Sequence, residues 1–397
     1  MKLEIDRRKF LGTSSSALLL ASCASSTLVP ETVSDIEQGE SAFIPEPILN
    51  ATLPETSLAS IARAKGVAFG TAIGSSALSD MEYLKIIEAE CDVLVAENEH
   101  KLYSLLGRPG PYQFDRGDAL VNWGKSKELD FRGHVLLWNR MEFTPDWVAK
   151  KDFGGREGTE TFVADYIKVL TEHYGTDIHS WDVVNETINP ETGKIRDTVF
   201  VENAGEQIVD FTFHKAKEYA PHAELVYNDY MIWEEGNEKH RYGVLKLLEG
   251  FRNRGTPIDT FGVQGHLGTR VRNSRYPDPQ SKAWQQFIDE IVDMDYKLII
   301  SEFDVNDTGL PADIVKRDQE VAAYGKAFLD MMLSYTELKS VLAWGLCDRH
   351  TWLQTWWPRK DDVVKRPTFY DVNYQPKPLR DAVAQAFKDA PMRSPKI

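Results

Sequence analysis

The sequence predicts an α/β protein whose single main domain is a (β/α)8 barrel. From about residue 60 onward, short apolar and β-branched runs recur eight times, as expected of parallel strands covered on both faces. Consecutive runs begin roughly 25 to 49 residues apart, and amphipathic stretches between them leave room for one helix each time. A doubly wound open sheet is the alternative, but eight units and no Gly-x-Gly-x-x-Gly motif count against it.

The composition is that of a large globular protein and excludes several classes. The chain has 397 residues, of which 42% are hydrophobic and 27% charged, so it can bury a large core. Its formal charge of −15 argues against a general nucleic-acid binder, which needs a basic face. No apolar run reaches the ~18 residues of a membrane-spanning helix, which argues against a multi-span membrane protein.

The N-terminus predicts export. Arg7 and Arg8 precede an apolar stretch at 17–21 that is too short to cross a bilayer, which is the twin-arginine pattern. Cys23 follows Leu-Ala-Ser in a stretch like a bacterial lipobox, so residues 1–22 are predicted to be a lipoprotein-type signal peptide and Cys23 the lipidated residue. An ordinary signal peptide with an incidental cysteine is the alternative.

The rest of the chain divides into a tether and one domain. Residues 23–54 lack clear periodicity and contain Ser, Thr and Pro, so we expect a flexible tether. Residues 55–390 are expected to form the barrel. We therefore expect a protein of the periplasm or cell surface that contacts the membrane only through the lipid on Cys23.

The eight predicted strands and the clearest predicted helices alternate along the chain. The strands are Val67–Ile73, Asp92–Ala96, Phe131–Trp138, Ser180–Val184, Leu225–Asn228, Thr260–Gln264, Lys297–Ser301 and Val341–Gly345. The helices are Phe162–His173, Ala204–Tyr219, Lys282–Met294 and Asp318–Ser334. In this arrangement Cys91 and Cys347 lie about two strand spacings apart, roughly 9–10 Å, which is too far for a disulfide. We expect free, buried thiols.

Seven of the eight strands end in large polar or aromatic residues. In a barrel all carboxyl ends of the strands open on one face, which holds the active site. A structural hydrogen bond could account for any one of these residues, but not easily for all of them together. They are Glu97, Asn98, His134, Trp138, Asn185, Glu186, Asn228, Asp229, Gln264, His266, Glu302, Asp304, Trp344 and Asp348.

Glu186 and Glu302 are carboxylates that follow the apolar runs of the fourth and the seventh predicted strand. Two carboxylates facing each other across the mouth, beside several Trp residues, suggest glycoside hydrolysis by an acid and a nucleophile. Retention would require them to lie about 5–5.5 Å apart. A structural ion pair or a metal site is the alternative, but a metal needs more ligands at matched spacing, and we expect neither metal nor cofactor.

The neighbours of the two carboxylates suggest supporting roles. Asn185 precedes Glu186 and can hydrogen-bond a sugar 2-hydroxyl, a contact that strengthens in the transition state. His266 and Asp304 can orient Glu302 and keep it ionised.

The order of the motifs from residue 60 to 385 resembles glycoside hydrolase family 10, whose members are mostly endo-β-1,4-xylanases on a (β/α)8 barrel. The matching stretches are Trp181-Asp182-Val183-Val184-Asn185-Glu186, Ser301-Glu302-Phe303-Asp304-Val305, Glu97-Asn98-Glu99-His100-Lys101, Arg132-Gly133-His134 with Trp138, Asn228-Asp229-Tyr230, Gln264-Gly265-His266, Trp344-Gly345, Asp348-Arg349-His350-Thr351-Trp352 and Pro376-Lys377-Pro378.

The resemblance implies a retaining endo-β-1,4-xylanase, with Glu186 as acid/base and Glu302 as nucleophile. It also implies a set of residues that line the sugar subsites through hydrogen bonds and indole stacking. These are Glu97, Asn98, Lys101, His134, Trp138, Asn185, Gln264, Trp344 and Trp352.

Three positions depart from the family pattern. Asn139 and Met141 stand where the family has His and Gln after the strand-3 Trp, and Leu102 replaces a Trp that often follows the Lys. All three changes are expected on the glycone side, so they affect the preferred chain rather than the reaction. Arg140 could reach an acidic decoration such as a uronic acid, or could be a solvated surface residue.

Two other functions remain open on the sequence alone. The barrel could hydrolyse another β-linked glycan or an aryl β-glycoside, because of the strand-3 changes. It could instead be a non-catalytic glycan-binding lipoprotein, although the intact Glu186 and Glu302 argue against that. The expected partner is a xylan or xylo-oligosaccharide substrate; we expect no nucleic acid, and a monomer.

Overall fold

The computed structural model describes residues 49–268 and 281–393, and in them it confirms the (β/α)8 barrel. Eight strands alternate with helices, and each strand is buried along most of its length. The strands are β1 Ala68–Ile73, β2 Val93–Ala96, β3 Asp130–Trp138, β4 Ser180–Asn185, β5 Glu224–Asp229, β6 Thr260–Val263, β7 Lys297–Val305 and β8 Leu338–Ala343.

The strands close into a ring of parallel neighbours. Each pairs with the next in sequence, from β1 to β8, and β8 pairs with β1. A two-residue strand, His266–Leu267, follows β6 and extends the pairing with the end of β7, where His266 lies opposite Asp304. All strand carboxyl ends therefore open on one face, as the sequence predicts.

The helices cover the outside of the barrel. The helices predicted around residues 162–173, 282–294 and 318–334 are all present, with ends shifted by a few residues. The helix predicted at 204–219 begins only at Ile208, because Gly205, with φ +81°, ends the preceding helix at Ala204. The helices are α1 Leu58–Arg63, α2 Met81–Glu90, α3 Leu102–Leu105, α4 Asp115–Ser126, α5 Asp146–Ala149, α6 Arg156–Tyr174, α7 Val199–Ala204, α8 Ile208–Tyr219, α9 Glu238–Arg254, α10 Lys282–Val292, α11 Ile314–Met332, α12 Leu353–Trp356 and α13 Pro378–Asp389.

Two apolar layers stabilise the barrel. The larger one lies between strands and helices, and alternate residues of β1 such as Phe69 and Ile73 belong to it. Ala68 and Ala72 of the same strand belong to a smaller cluster that includes Trp344 and Leu342. This alternation along one strand is the pattern of a closed sheet filled by side chains. Trp344 thus connects this smaller cluster to the mouth.

The two thiols are free and buried, as predicted. Cys91 follows α2, and Cys347 lies after β8 with its thiol 3.0 Å from the carbonyl oxygen of Asp371. Burial raises the pKa of Cys347 to about 11, so it is a neutral thiol at physiological pH.

A buried ion pair ties the end of the chain to the barrel. Lys377 precedes α13, and its Nζ lies 2.9 Å from Oδ2 of Asp348, which follows β8. Both side chains are almost fully buried, and the hydroxyl of Thr368 also donates to Asp348. The Pro-Lys-Pro stretch near residue 376 therefore has a structural role in this fold.

The predicted signal peptide at 1–22, Cys23 and most of the predicted tether lie outside the described residues. Within residues 49–54, Ala51 is buried and its carbonyl oxygen accepts hydrogen bonds from the Arg63 guanidinium at 3.3 Å. Among residues 49–268 and 281–393, no helix has the length and apolar character needed to cross a bilayer.

Candidate active site

Glu186 and Glu302 both lie at the mouth formed by the strand carboxyl ends. Glu186 directly follows β4, and Glu302 lies within the last half of β7. Two strands separate β4 from β7 on one side of the ring and four on the other. The side chains are largely buried, 7% and 5% exposed as residues, so charges near them act through little water.

Glu302 is held at both oxygens. Asn228 Nδ2 donates to Oε1 at 2.8 Å, and His266 Nε2 lies 3.1 Å from Oε2. Burial by itself would raise the pKa of Glu302, but the hydrogen bond from His266 and the nearby positive charges, including Lys101, hold it below its ordinary value. Glu302 is therefore a fixed, ionised carboxylate at neutral pH.

His266 links Glu302 to Asp304. Its Nδ1 lies 3.0 Å from Asp304 Oδ1, and the other oxygen of Asp304 accepts a hydrogen bond from Trp352 Nε1 at 2.8 Å. Burial opposes the charged ring, but the two carboxylates outweigh it and raise the pKa of His266 to about 10. The ring therefore lies within ion-pair distance of both carboxylates, with Nε2 beside Glu302 and Nδ1 beside Asp304.

Replacing His266 by asparagine should give a stability loss that depends on pH. Because the folded pKa of about 10 lies above the ordinary value of 6.5, protonated His266 stabilises the fold fully below pH 6.5. This contribution disappears as the pH rises through 10. We expect the gap in free energy of unfolding between wild type and His266→Asn, on the order of a few kcal/mol at neutral pH, to shrink toward high pH in urea titrations. A gap that stays constant over that range would contradict the charged His266.

Glu186 is held differently. Gln264 Nε2 donates to Oε1 at 2.9 Å, and Arg140 Nη1 lies 2.8 Å from Oε2. The residue has φ +53°, a backbone conformation that side-chain-bearing residues rarely adopt. Its N–H donates to the carbonyl of Asn228 at 2.9 Å, and its own carbonyl accepts from Arg196 Nε at 2.8 Å. The surrounding contacts thus impose a strained turn that directs this carboxylate.

A chain of amide side chains connects the two carboxylates. The Asn185 amide lies 3.3 Å from Glu186 Oε1, and 3.0 Å from Asn228 Nδ2. Asn228 then reaches Glu302, while its own oxygen accepts from the Ser301 hydroxyl at 2.6 Å. These amide contacts therefore fix the position of Glu186 relative to Glu302.

Lys101 lies between two indole rings at the mouth. Its Nζ is 4.6 Å from the ring centre of Trp138 and 5.7 Å from that of Trp344, and it donates to Asn98 Oδ1 at 3.2 Å. Burial lowers the pKa of Lys101, against the charges of Glu302 and Glu97. Burial likewise raises the pKa of Glu97, although Lys101 opposes it. These groups form a compact polar corner beside the rings.

His134 is positioned from below by residues that the sequence analysis did not single out. Its ring contacts Trp344 edge to face, with centres 5.4 Å apart, and its Nδ1 lies 2.8 Å from Asp182 Oδ2. The other oxygen of Asp182 accepts from Arg132 Nη2 at 2.8 Å. Burial would raise the pKa of Asp182, but Arg132 and His134 lower it. Alternate residues of β3 and β4 lie on the inner face of the barrel. This alternation is the sequence feature that could have identified Arg132 and Asp182 as neighbours of His134.

The three departures from the family pattern have separate structural settings. Asn139 is fully buried: it donates to the Thr187 hydroxyl at 2.6 Å and accepts from the Thr198 hydroxyl at 2.7 Å. Met141 is partly exposed, and its sulfur lies 3.3 Å from the backbone N of Val199. Leu102 packs against the main core. Asn139 therefore braces the β3 and β4 loops.

Sequence reasoning missed Phe143 and Trp356 at the mouth, and it missed the contacts that Asn228 and Arg140 make there. Asn228 was recognised as a polar strand end and as part of a motif, but its direct contact with Glu302 was not predicted. Phe143 stacks on Trp138 with ring centres 3.7 Å apart, and it lies 6.2 Å from the exposed ring of Trp356. Arg140 is paired with Glu186, a contact that no periodicity in the sequence indicates.

Comparison with known proteins gives a family match and several similar proteins. The family model described as Glycosyl hydrolase family 10 matches residues 57–386. Endo-1,4-beta-xylanase A of Caldicellulosiruptor saccharolyticus is 30% identical over 302 residues, covering 72% of this chain and 83% of that protein. Endo-1,4-beta-xylanase B of Thermotoga neapolitana is 25% identical over 337 residues, covering 83% and 91%. The fold matches native xylanase 10B of Thermotoga maritima with a TM-score of 0.74 at 24% identity, covering 84% of this chain and 98% of that one.

Proposed function

Because the chain belongs to glycosyl hydrolase family 10, we propose that it is a retaining endo-β-1,4-xylanase with Glu302 as nucleophile and Glu186 as acid/base. The observation that carries this proposal is the contrast between the two carboxylates. Glu302 is held ionised by His266 and Asn228, which suits a nucleophile. Glu186 follows β4 in a strained turn, with Oε1 bound by Gln264 and Oε2 reached from the mouth by Arg140.

In the first step, a Glu302 oxygen attacks the anomeric carbon of the sugar while Glu186 gives its proton to the leaving glycosidic oxygen. The bond to the leaving sugar breaks as the bond to Glu302 forms, leaving a glycosyl-enzyme. His266 and Asn228 hold the Glu302 carboxylate in place for this attack. Preorganised contacts of this kind lower the barrier because they do not have to form during the reaction.

In the second step, Glu186, now a carboxylate, takes a proton from water. The water oxygen attacks the anomeric carbon and Glu302 leaves, so two inversions give net retention. Asn185, linked to Asn228 and near Gln264, is positioned to bind the 2-hydroxyl of the reacting sugar. That contact would strengthen as positive charge develops on the ring.

Xylan is the proposed substrate class. The curated relatives reported above are named xylanases, and the mouth of this barrel combines polar side chains with flat aromatic rings. Trp138, Trp344 and Trp352 would stack on sugar faces, while Glu97, Asn98, Lys101 and His134 would bind hydroxyl groups.

The experiment that tests the substrate is hydrolysis of a panel of polysaccharides. Unsubstituted xylan, glucuronoxylan, mixed-linkage β-glucan and mannan are each incubated with the enzyme, and products are separated by chromatography. We expect xylo-oligosaccharides from both xylans, with viscosity falling early because internal bonds are cut. Cleavage of β-glucan or mannan without cleavage of xylan would overturn the substrate assignment but leave the two carboxylates in their roles.

A further inference from the structure

Arg140 is a basic residue in direct contact with the proposed acid/base. Its Nη1 lies 2.8 Å from Glu186 Oε2, and its Nη2 lies 3.2 Å from Oε1 of Glu142. The guanidinium also lies 5.0 Å from the ring centre of Phe143, and 23% of the side chain is exposed. Arg140 therefore lies between the reacting carboxylate and the open mouth.

This contact conflicts with the first chemical step. Oε1 of Glu186 already accepts from Gln264, so Oε2 is the oxygen that faces away from that anchor and can deliver a proton. Arginine remains charged and pairs with ionised carboxylates. An Oε2 that carries the transferable proton cannot keep the same ion pair, so Arg140 has to shift when Glu186 acts as an acid.

A displaced Arg140 needs another acceptor. Its present second partner, Glu142, has a side chain that is 60% exposed, and such pairs contribute little. Its Nε is buried and has no hydrogen-bond partner among residues 49–268 and 281–393. Arg196 also contacts Glu186, through the backbone carbonyl, and its Nη2 lies 3.0 Å from the Tyr230 hydroxyl, so it adds positive charge beside Arg140. Two guanidinium groups therefore lie near Glu186, and one of them has a buried N–H without a partner among those residues.

We propose that Arg140 is a specificity residue for an acidic substituent, a uronic acid, on a sugar next to the scissile bond. This inference rests on the proposed function. The substrate carboxylate takes the place of Glu186 as partner of Arg140, and Oε2 is freed to hold the proton for the leaving oxygen. An acidic chain therefore both binds and prepares the acid, whereas a neutral chain has to displace Arg140 without compensation.

The test compares xylo-oligosaccharides with one backbone: unsubstituted, bearing a single glucuronic acid, and bearing its methyl ester. For wild type, we expect kcat/KM for the acid to exceed that for the other two about tenfold, since one charge-assisted hydrogen bond contributes roughly 1.4 kcal/mol or more. In Arg140→Gln this preference should fall to about one. Arg140→Lys should recover part of this preference, because lysine keeps the positive charge but cannot make the two parallel hydrogen bonds of a guanidinium.

Arg254→Gln is the matched control. It also removes an arginine–carboxylate pair, between Arg254 and Asp210 at the end of α9, and should keep both rate and preference. An unchanged acid-to-neutral ratio in Arg140→Gln, or no preference in wild type that cleaves the neutral chain, would overturn the inference alone. No cleavage of any of the three chains would overturn the proposed function and this inference with it.

Discussion

Glu302→Ala is expected to lose turnover on every glycoside by at least about 10⁴-fold in kcat, whatever the leaving group. The variant lacks the carboxylate that attacks the anomeric carbon and that Asn228 and His266 hold in place. Initial rates on xylan and on a dinitrophenyl β-xyloside measure the effect. Folding is checked by the melting temperature.

Added azide sharpens this prediction. With Glu302→Ala and the dinitrophenyl substrate, azide can enter the space of the lost carboxylate and attack the anomeric carbon directly. A single inversion then gives an α-glycosyl azide. Glu218→Ala, which removes an exposed carboxylate paired with Lys215 on α8, serves as control and should keep wild-type rates. Substantial turnover by Glu302→Ala without azide would contradict its role as nucleophile.

Glu186→Ala is expected to separate substrates by their leaving groups. On xylan, kcat/KM should fall by about 10²- to 10⁴-fold, the usual contribution of a general acid. On the dinitrophenyl β-xyloside, formation of the glycosyl-enzyme should be little affected, because that leaving group needs no proton. Its breakdown should become slow, since no base activates water. A burst of dinitrophenol followed by a slow steady state, observed by stopped flow, is the expected result.

The stereochemistry of azide rescue distinguishes the two carboxylates. In Glu186→Ala, azide attacks the glycosyl-enzyme, and two inversions give a β-glycosyl azide. Equal losses on xylan and on the activated substrate, with no burst, would show that Glu186 does not supply the proton. The same azide product from both variants would contradict the separate roles.

The fold was predictable because the barrel repeats one simple unit. Parallel strands buried on both faces are nearly continuous apolar runs, and β4 and β7 follow that pattern up to their polar ends. The closed ring then requires all carboxyl ends to meet at one face. For this reason the sequence alone predicts that Glu186, Glu302 and His266 lie at the same face. The position of each helix end depends on local turn chemistry, and Gly205 shows the resulting error.

The contacts of loop residues were not predictable in the same way. Arg140 follows β3, where no repeat fixes the direction of a side chain, and its pairing with Glu186 depends on the relative course of two loops. Asn139 is polar and next to the mouth, yet it is buried between Thr187 and Thr198. A sequence pattern gives the residue types, but only the packed structure tells which of them contact the reacting groups.

The central claim, that Glu186 and Glu302 act by double displacement, is tested most directly by the anomeric configuration of the first products. Xylohexaose is hydrolysed in deuterated buffer, and proton NMR follows the newly formed reducing ends before mutarotation equilibrates them. The account predicts that the β-anomer appears first and the α-anomer only later. Initial appearance of the α-anomer would mean a single inversion by water and would contradict Glu302 as the nucleophile.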